Sequence, residues 1–204
     1  MFLKVAVSSL LSRKGSAIMT LMAISVAIFV LLGIEQIRQQ ARDSFASTVS
    51  GVDLIVGAKT GSLNLLLYSV FRIGSPTDNI SWQAYRDIAD SDDVAWAIPI
   101  SLGDSHDGYR VVGTTQAFFE HFSYGKKRSL AFFEGEAFEG TFDAVLGSEV
   151  ASALGYSVGT EIILAHGLAS TSFTKHDNQP FVVVGVLAPT GTPVDQTIHV
   201  RLEG

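Results

Sequence analysis

The feature that most constrains this chain is a run of 20 residues without a charged side chain, from Gly15 to Ile34. At about 1.5 Å per residue, a helix of that length spans roughly 30 Å, which is the thickness of the hydrocarbon core of a bilayer. The sequence therefore predicts a transmembrane helix over residues 15–37. The residues expected to lie within the membrane are Ser16, Leu21, Ile24, Phe29 and Leu32.

The charges on either side of this run predict its orientation. Residues 1–34 carry a charge of +3 and the rest of the chain −9, within a net charge of −6. Cations concentrate on the cytoplasmic side of membrane helices. We therefore expect a cytoplasmic N-terminus, a single pass through the cytoplasmic (inner) membrane and a main domain outside the cell's interior. The acidic balance of that domain argues against nucleic acid as a partner, because phosphates require clustered Lys and Arg.

Two other kinds of segment also contain an apolar run of this sort, a cleaved signal peptide and a core helix of a soluble protein. A cleaved signal peptide has an apolar region of about 7–15 residues and a small-residue cleavage site. Residues 35–40 read Glu-Gln-Ile-Arg-Gln-Gln and contain no such site. A core helix of a soluble protein needs a polar face, which this run does not supply. A retained membrane helix is the favoured interpretation.

Residues 1–14 form a separate cytoplasmic segment. Its apolar and polar residues recur at helical spacing, which predicts an amphipathic helix over 2–14. Such a helix either lies along the membrane with its cations near lipid headgroups or serves only as the charged flank that sets the topology. Its apolar residues are Leu3, Val7, Leu10 and Leu11.

The external domain is expected over residues 38–204. Strands interleave with short helices in this region, so the sequence predicts an α+β fold. The predicted helices cover 38–49, 63–71, 81–88, 115–122 and 149–154, with Ser81 or Asn79 as the expected cap of the third helix and Ser148 as that of the last. The predicted strands cover 52–57, 94–102, 109–114, 144–146, 161–164, 181–187 and 197–202, and the Asp-Gly pair in residues 103–108 predicts a turn between the second and third strands.

Sequence motifs of known chemistry are missing from the chain. There is no G-x-x-x-x-G-K-[ST] loop to cradle phosphates, no G-x-S-x-G nucleophile elbow and no H-E-x-x-H zinc motif. There is also no cysteine, which excludes disulfides and thiolate sites. We therefore expect a chain that is not an enzyme, has no catalytic residues and binds no cofactor itself.

A metal site would have to be built from scattered histidines and one acid. Their spacing does not match the usual zinc signatures, so we expect no metal site. The residues considered are His166, His176, Asp177 and His199. A set of aromatic residues is instead expected in the core: Phe118, Phe119, Phe122, Phe132 and Phe133.

The turn-rich residues 188–195 read Ala-Pro-Thr-Gly-Thr-Pro-Val-Asp. Pro and Gly at these positions are typical of a loop between two strands. Two interpretations remain open: a plain connection, or a rigid loop that lies near the membrane or contacts a partner.

The order of the later segments resembles the extracytoplasmic core domain of MacB/FtsX-like ABC transporter permeases. That pattern is G-x-x-F, a strand ending in L-G, a helix containing V-A, then L-G, x-x-G-x-x-I-x-L and F-x-V-V-G-V-L. The matching residues here are Phe138, Asp143 to Ala151, Leu154-Gly155, Val158 to Leu164 and Phe181 to Leu187. Asp53 to Val56 corresponds to the strand that leaves the membrane.

The resemblance implies a permease with four membrane helices and a large external domain between the first two. Such permeases dimerise, so a homodimer or pseudo-dimer is expected, and a cytoplasmic ABC ATPase that binds ATP drives them. Family members export drugs or peptides, extract lipoproteins or regulate cell-wall hydrolases, so a partner protein outside the membrane is also expected. On this view residues 1–204 are the first part of a longer protein.

Two other functions remain open from the sequence. A single-pass sensor or adaptor would use the external domain to bind a ligand or a protein. A membrane-anchored hydrolase would require clustered His, Asp and Ser side chains.

Overall fold

The computed structural model describes residues 12–48, 50–74, 78–166 and 180–203. The chain separates into two compact units, Met1–Phe45 and Ala46–Gly204. The described part of the first unit is helical, and the second unit contains a mixed β-sheet with short helices.

Helix α1 runs over Lys14–Thr48 and contains 35 residues. The hydroxyl group of Thr20 donates a hydrogen bond of 3.0 Å to the carbonyl oxygen of Ser16. A polar side chain within the apolar run is therefore satisfied by its own helix, as an apolar environment requires. The predicted helix over 15–37 and its continuation beyond residue 38 are confirmed. The predicted amphipathic helix lies mostly outside the described residues.

The second unit contains the following elements among its described residues. The helices are α2 (Ser62–Ser69), α3 (Trp82–Ala89), α4 (Ala117–His121), α5 (Ser148–Leu154) and a 3-10 helix (Pro193–Gln196). The strands are β1 (Ser101–His106), β2 (Tyr109–Thr114), β3 (Ser123–Tyr124), β4 (Arg128–Ser129), β5 (Phe132–Gly135), β6 (Asp143–Leu146), β7 (Glu161–Ile162), β8 (Ala165–His166), β9 (Phe181–Leu187) and β10 (Thr197–Arg201).

Eight strands form one mixed sheet in the order β5-β9-β6-β10-β2-β1-β8, with β7 also paired to β9. Strand β10 lies in the middle, parallel to β2 and antiparallel to β6. Strands β6 and β9 are parallel, and α5 lies between them in the chain. Strands β3 and β4 form a separate hairpin. The predicted α+β fold is confirmed.

Alternation along β6 divides the apolar side chains between the two faces of the sheet. Ala144 and Leu146 belong to one buried cluster, together with Val150 of α5. Val145, between them in sequence, belongs to a second cluster that contains Phe118 of α4. Because successive residues of a strand point to opposite faces, a four-residue strand contributes to both clusters. The sheet is therefore packed on both faces.

Two of the predicted strands are wrong over most of their length, and the strand predicted over 161–164 ends at Ile162. Residues 52–57 form no strand, although their β-branched residues favour one. The strand predicted over 94–102 begins only at Ser101 and continues through the segment predicted as a turn, to His106. That polar segment becomes a strand because it pairs with β2 on one side and with β8 on the other.

Two predictions about single side chains also need correction. Phe133 is 78% exposed, whereas the other four predicted core phenylalanines are buried or half-buried. It neighbours Phe132 on β5, and Phe132 packs against the core, so Phe133 faces the opposite side. Ser148 is not a helix cap: it is the first residue of α5, and Gly147 occupies the cap position.

Candidate functional site

The first feature with functional meaning is the apolar part of α1. Residues Lys14–Gln39 form a stretch of 26 residues whose most apolar 18-residue window has a mean hydropathy of 2.7, and none of that window is buried. All five residues predicted to lie in the membrane are exposed, and Phe29 is 79% exposed. By length and composition, this helix is able to cross a bilayer.

The second feature is an open cleft in the sheet domain with a volume of about 290 Å³. It lies where the segment after α2, the start of β2, helix α5 and the 3-10 helix meet. Its lining contains two arginines and one acid, with apolar side chains beside them. The lining residues that matter for its chemistry are Arg72, Tyr109, Arg110, Glu149, Gln196 and Thr197.

Arg72 is the most unusual residue of this cleft. Only 6% of its surface is exposed, and its backbone adopts a left-handed φ of 58°. Among the described residues, its guanidinium group makes one hydrogen bond, from Nη1 to the carbonyl oxygen of Ser69, and its Nε atom has no partner. Burial lowers the pKa of Arg72 to about 10. The side chain still carries its positive charge at neutral pH.

Arg110 and Glu149 provide the other charges of the cleft. Arg110 is half-buried on β2 and has no ion-pair partner in the part of the chain that the structure describes. Glu149 is exposed on α5, and its carboxylate accepts a hydrogen bond of 3.0 Å from the side-chain amide of Gln196. The cleft thus contains two cationic groups and one anionic group.

His199 lies deep in the core on β10. Its ring stacks on Phe118 with 4.8 Å between centroids, and its Nε2 atom lies 3.2 Å from Oγ1 of Thr197. Burial first, and then the positive charge of Arg72, lower the pKa of His199 to about 3, against a weak opposing effect of the Val145 backbone. The imidazole is therefore neutral at physiological pH.

The structure describes two of the four residues that the sequence suggested for a metal site, His166 and His199. His199 is fully buried in the core. His166 belongs to β8, while His176 and Asp177 lie outside the described residues. Within the described ranges, no group of three or more His, Asp and Glu side chains is arranged to hold a metal ion. The expectation that the chain has no metal site stays a prediction.

The loop after β9 is held by one carboxylate. Asp195 is buried and accepts hydrogen bonds from the backbone N–H groups of Thr190 and Gly191 and from the hydroxyl group of Thr190. That hydroxyl lies 2.7 Å from the hydroxyl of Thr192. These bonds fix the shape of the loop, and a contact of residues 188–195 with the membrane or a partner stays a prediction.

A second polar cluster joins the end of β1 to the segment after α5. His106 Nδ1 lies 2.8 Å from the carbonyl oxygen of Ile163, and its Nε2 lies 3.1 Å from the hydroxyl of Tyr156. A carbonyl oxygen accepts, so His106 Nδ1 donates to Ile163, and the hydroxyl of Tyr156 donates to a carboxylate oxygen of Asp107 at 3.4 Å. Burial and the neighbouring Asp107 raise the pKa of Tyr156. These bonds connect the end of β1 to the segment that follows α5.

Sequence reasoning did not single out Arg72, Arg110, Glu149 or the bonding role of Asp195. The arginine follows a short helix in a segment without any motif, and arginine is usually exposed. Only the role of Asp195 had a local sequence signal, since it ends the Pro/Gly-rich run 188–195. Asp in such a turn often accepts hydrogen bonds from nearby backbone N–H groups.

An apolar helix of membrane-spanning length that precedes a mixed α+β domain is the arrangement of an anchored membrane protein. The chain matches the family described as "MacB-like periplasmic core domain" over residues 17–202. It therefore belongs to this family, which is a family of ABC transporter permeases. No curated protein matches the chain.

Proposed function

We propose that this chain is a permease subunit through which a cytoplasmic ABC ATPase moves an extracytoplasmic domain. The observation that carries the proposal is the family match over residues 17–202, which begins inside the apolar helix and includes nearly all of the sheet domain. The work done by the moving domain is export, extraction of a membrane-bound substrate, or transmission of force to a partner protein outside.

In this proposal the chain itself is neither an enzyme nor an ATP-binding protein. Its sequence lacks the phosphate-binding loop that an ATPase needs, so ATP binding and hydrolysis belong to the partner subunit. The permease acts as a homodimer or a pseudo-dimer within the lipid bilayer, since two ATPase subunits act on paired permeases in this class of transporter.

We place the chain in the cytoplasmic membrane with its N-terminus inside. The basis is the charge of +3 over residues 1–34 against −9 over the remainder. Positively charged residues favour the cytoplasmic side of a membrane helix. The sheet domain then lies outside the cytoplasm.

The topology can be tested directly because the chain contains no cysteine. Ser12→Cys and Ser129→Cys place single thiols before the apolar stretch and on exposed strand β4, respectively. In intact cells, a membrane-impermeant maleimide should label Ser129→Cys, while Ser12→Cys should react only after permeabilisation. The opposite pattern would contradict the proposed orientation.

The ATPase partnership needs a separate test. The complete reading frame, tagged and co-expressed with the ABC ATPases of the same genome, should copurify with one of them. A matched control replaces residues 15–37 with an unrelated membrane helix, and we expect it to lose the ATPase. If no ATPase copurifies while the domain lies outside, a sensor or adaptor function is favoured and the permease proposal fails.

A further inference from the structure

The starting observation is a buried positive charge without a counter-charge. Arg72 is 6% exposed, and no carboxylate among the described residues lies within ion-pair distance of its guanidinium. Buried arginines are normally paired with an acid or fully hydrogen-bonded, because an uncompensated buried charge is costly. Arg72 has only the Ser69 carbonyl, and its Nε atom has no partner.

The backbone at Arg72 adds to this cost. A φ of 58° places it in the left-handed region, which a side chain with a Cβ atom rarely adopts. A residue that combines backbone strain with an unpaired buried charge does not serve stability. Such conflicts between local rules and the fold are concentrated at functional sites.

The position of Arg72 indicates where the missing partner would come from. Arg72 lines the open cleft of about 290 Å³, and so does Arg110, which also lacks an acidic partner in the described ranges. Both arginines therefore border the space that a ligand in this cleft would occupy. Planar guanidinium groups bind carboxylates and phosphates through paired hydrogen bonds.

The remaining lining distinguishes between these two anions. Glu149 contributes a negative charge to the same cleft, which disfavours the second charge of a phosphate dianion but tolerates a single carboxylate. Phe71, Ile73 and Pro193 provide apolar surface beside the charged groups. The volume is close to the lower end of the range of small-molecule pockets, about 300 Å³, so the ligand portion bound is small.

We propose that this cleft binds the carboxylate of a small amphipathic ligand, either a free amino acid or the C-terminus of a peptide, through Arg72 and Arg110. The adjoining apolar side chains contact the hydrophobic part of the ligand. This inference does not depend on the ATPase partnership, since the cleft lies wholly within the sheet domain.

The test uses the full chain in detergent micelles and isothermal titration calorimetry. The probes are the tripeptide Ala-Phe-Ala, the same peptide with a C-terminal amide, L-phenylalanine and inorganic phosphate. We expect the free-acid tripeptide to bind at least about tenfold more tightly than its amide, since removing the charge removes a charge-assisted pair. If L-phenylalanine binds as tightly as the tripeptide, the ligand is a free amino acid; weaker binding indicates a peptide end.

Variants then connect the binding to the cleft. Arg72→Met and Arg110→Gln should each weaken binding of the free acid by at least about tenfold. Arg86→Met, which changes an exposed arginine on α3 outside the cleft, is the matched control and should bind as the wild type does. Arg72→Met should also unfold at a temperature no lower than the wild type, because it removes an unpaired buried charge.

Three results would overturn the proposal. The first is equal binding of the free acid and the amide, or no binding of either carboxylate probe at about 10 mM, a concentration that detects even millimolar affinity. The second is tighter binding of inorganic phosphate than of the tripeptide. The third is binding of the free-acid tripeptide to Arg110→Gln with wild-type affinity. This result contradicts the proposal even if Arg72→Met does not fold.

Discussion

The carboxylate of Asp195 accepts two hydrogen bonds from Thr190, one from the backbone N–H of Thr190 at 2.9 Å and one from its hydroxyl at 2.8 Å. The same carboxylate accepts from the N–H of Gly191 at 2.7 Å. A buried carboxylate with three donors from one loop fixes the shape of that loop, since each of these bonds is assisted by charge. The loop connects β9 to the central strand β10, so its shape bears on the register of the sheet.

Replacing Asp195 with asparagine should therefore destabilise the domain. The amide loses the charge and offers one acceptor oxygen in place of two, so at least one of the partly buried donors of Thr190 and Gly191 loses its carboxylate acceptor. We expect a loss of about 1–3 kcal/mol in the free energy of unfolding, measured in urea by the fluorescence of Trp82 and Trp96. Asp92→Asn changes an exposed acid and should leave that free energy unchanged. Equal stability of the two variants would contradict the role of Asp195.

Gly147 should not tolerate a side chain. A Cβ atom there would lie 2.3 Å from the carbonyl oxygen of Val194 and 2.4 Å from that of Asp195. Gly147→Ala must displace backbone rather than a flexible side chain, so we expect a loss of about 1–3 kcal/mol in urea unfolding. Gly103→Ala is the control, because no heavy atom lies within 4 Å of its added Cβ. A Gly147→Ala protein as stable as the control would show that this contact is not rigid.

His199 should make the stability of the domain depend on pH. Its pKa is about 3 in the folded protein and about 6.5 in the unfolded chain, so the unfolded state binds the extra proton between these values. The contribution of the neutral ring is thus complete above pH 6.5 and is lost progressively as the pH falls. Relative to His199→Phe, the wild type should lose about 2 kcal/mol of unfolding free energy between pH 7 and pH 5.

The control for this measurement is the neighbouring core substitution Ile198→Val. It removes one buried methylene and no titratable group, so it should cost about 0.5–1.5 kcal/mol at both pH values. If His199→Phe and Ile198→Val show the same pH dependence relative to the wild type, protonation of His199 does not contribute to acid sensitivity.

A charge in the middle of the apolar helix should prevent membrane insertion. Arginine at the centre of a membrane helix costs about 2.5–3.5 kcal/mol on insertion scales. Ile24→Arg should therefore increase the fraction of protein extracted from membranes by alkaline carbonate, whereas Ile24→Leu should behave as the wild type. If Ile24→Arg remains fully in the membrane pellet after carbonate extraction, the prediction that Ile24 lies within the lipid bilayer is wrong.

Local sequence signals were sufficient where an element is defined by its own residues. Strand β9 has the predicted bounds, and of the two caps predicted for α3, Ser81 and Asn79, the structure has Ser81, whose side chain accepts from the N–H of Ala84. The long apolar helix follows from length and hydropathy alone. These signals depend on neighbours a few positions away, which the sequence displays directly.

Prediction failed where distant pairing decides the outcome. Residues 52–57 have the composition of a strand but no partner strand in the described part of the chain, whereas residues 103–106 have the composition of a turn and acquire two partners. The burial of Arg72 could not be predicted from the sequence either, because the cleft is assembled from segments more than a hundred residues apart. The local amino-acid composition contains no information about such long-range contacts.

The central position of β10 has a consequence for biogenesis. Without residues 197–201 the sheet divides into two separate sets of strands, β5, β9, β6 and β7 on one side and β2, β1 and β8 on the other. Because synthesis proceeds from the N-terminus, β2 and β6 each still have one unpaired edge after β9 has been made, until β10 is synthesised and pairs with both. The nascent domain passes through an interval in which a strand-binding chaperone has two open edges to protect.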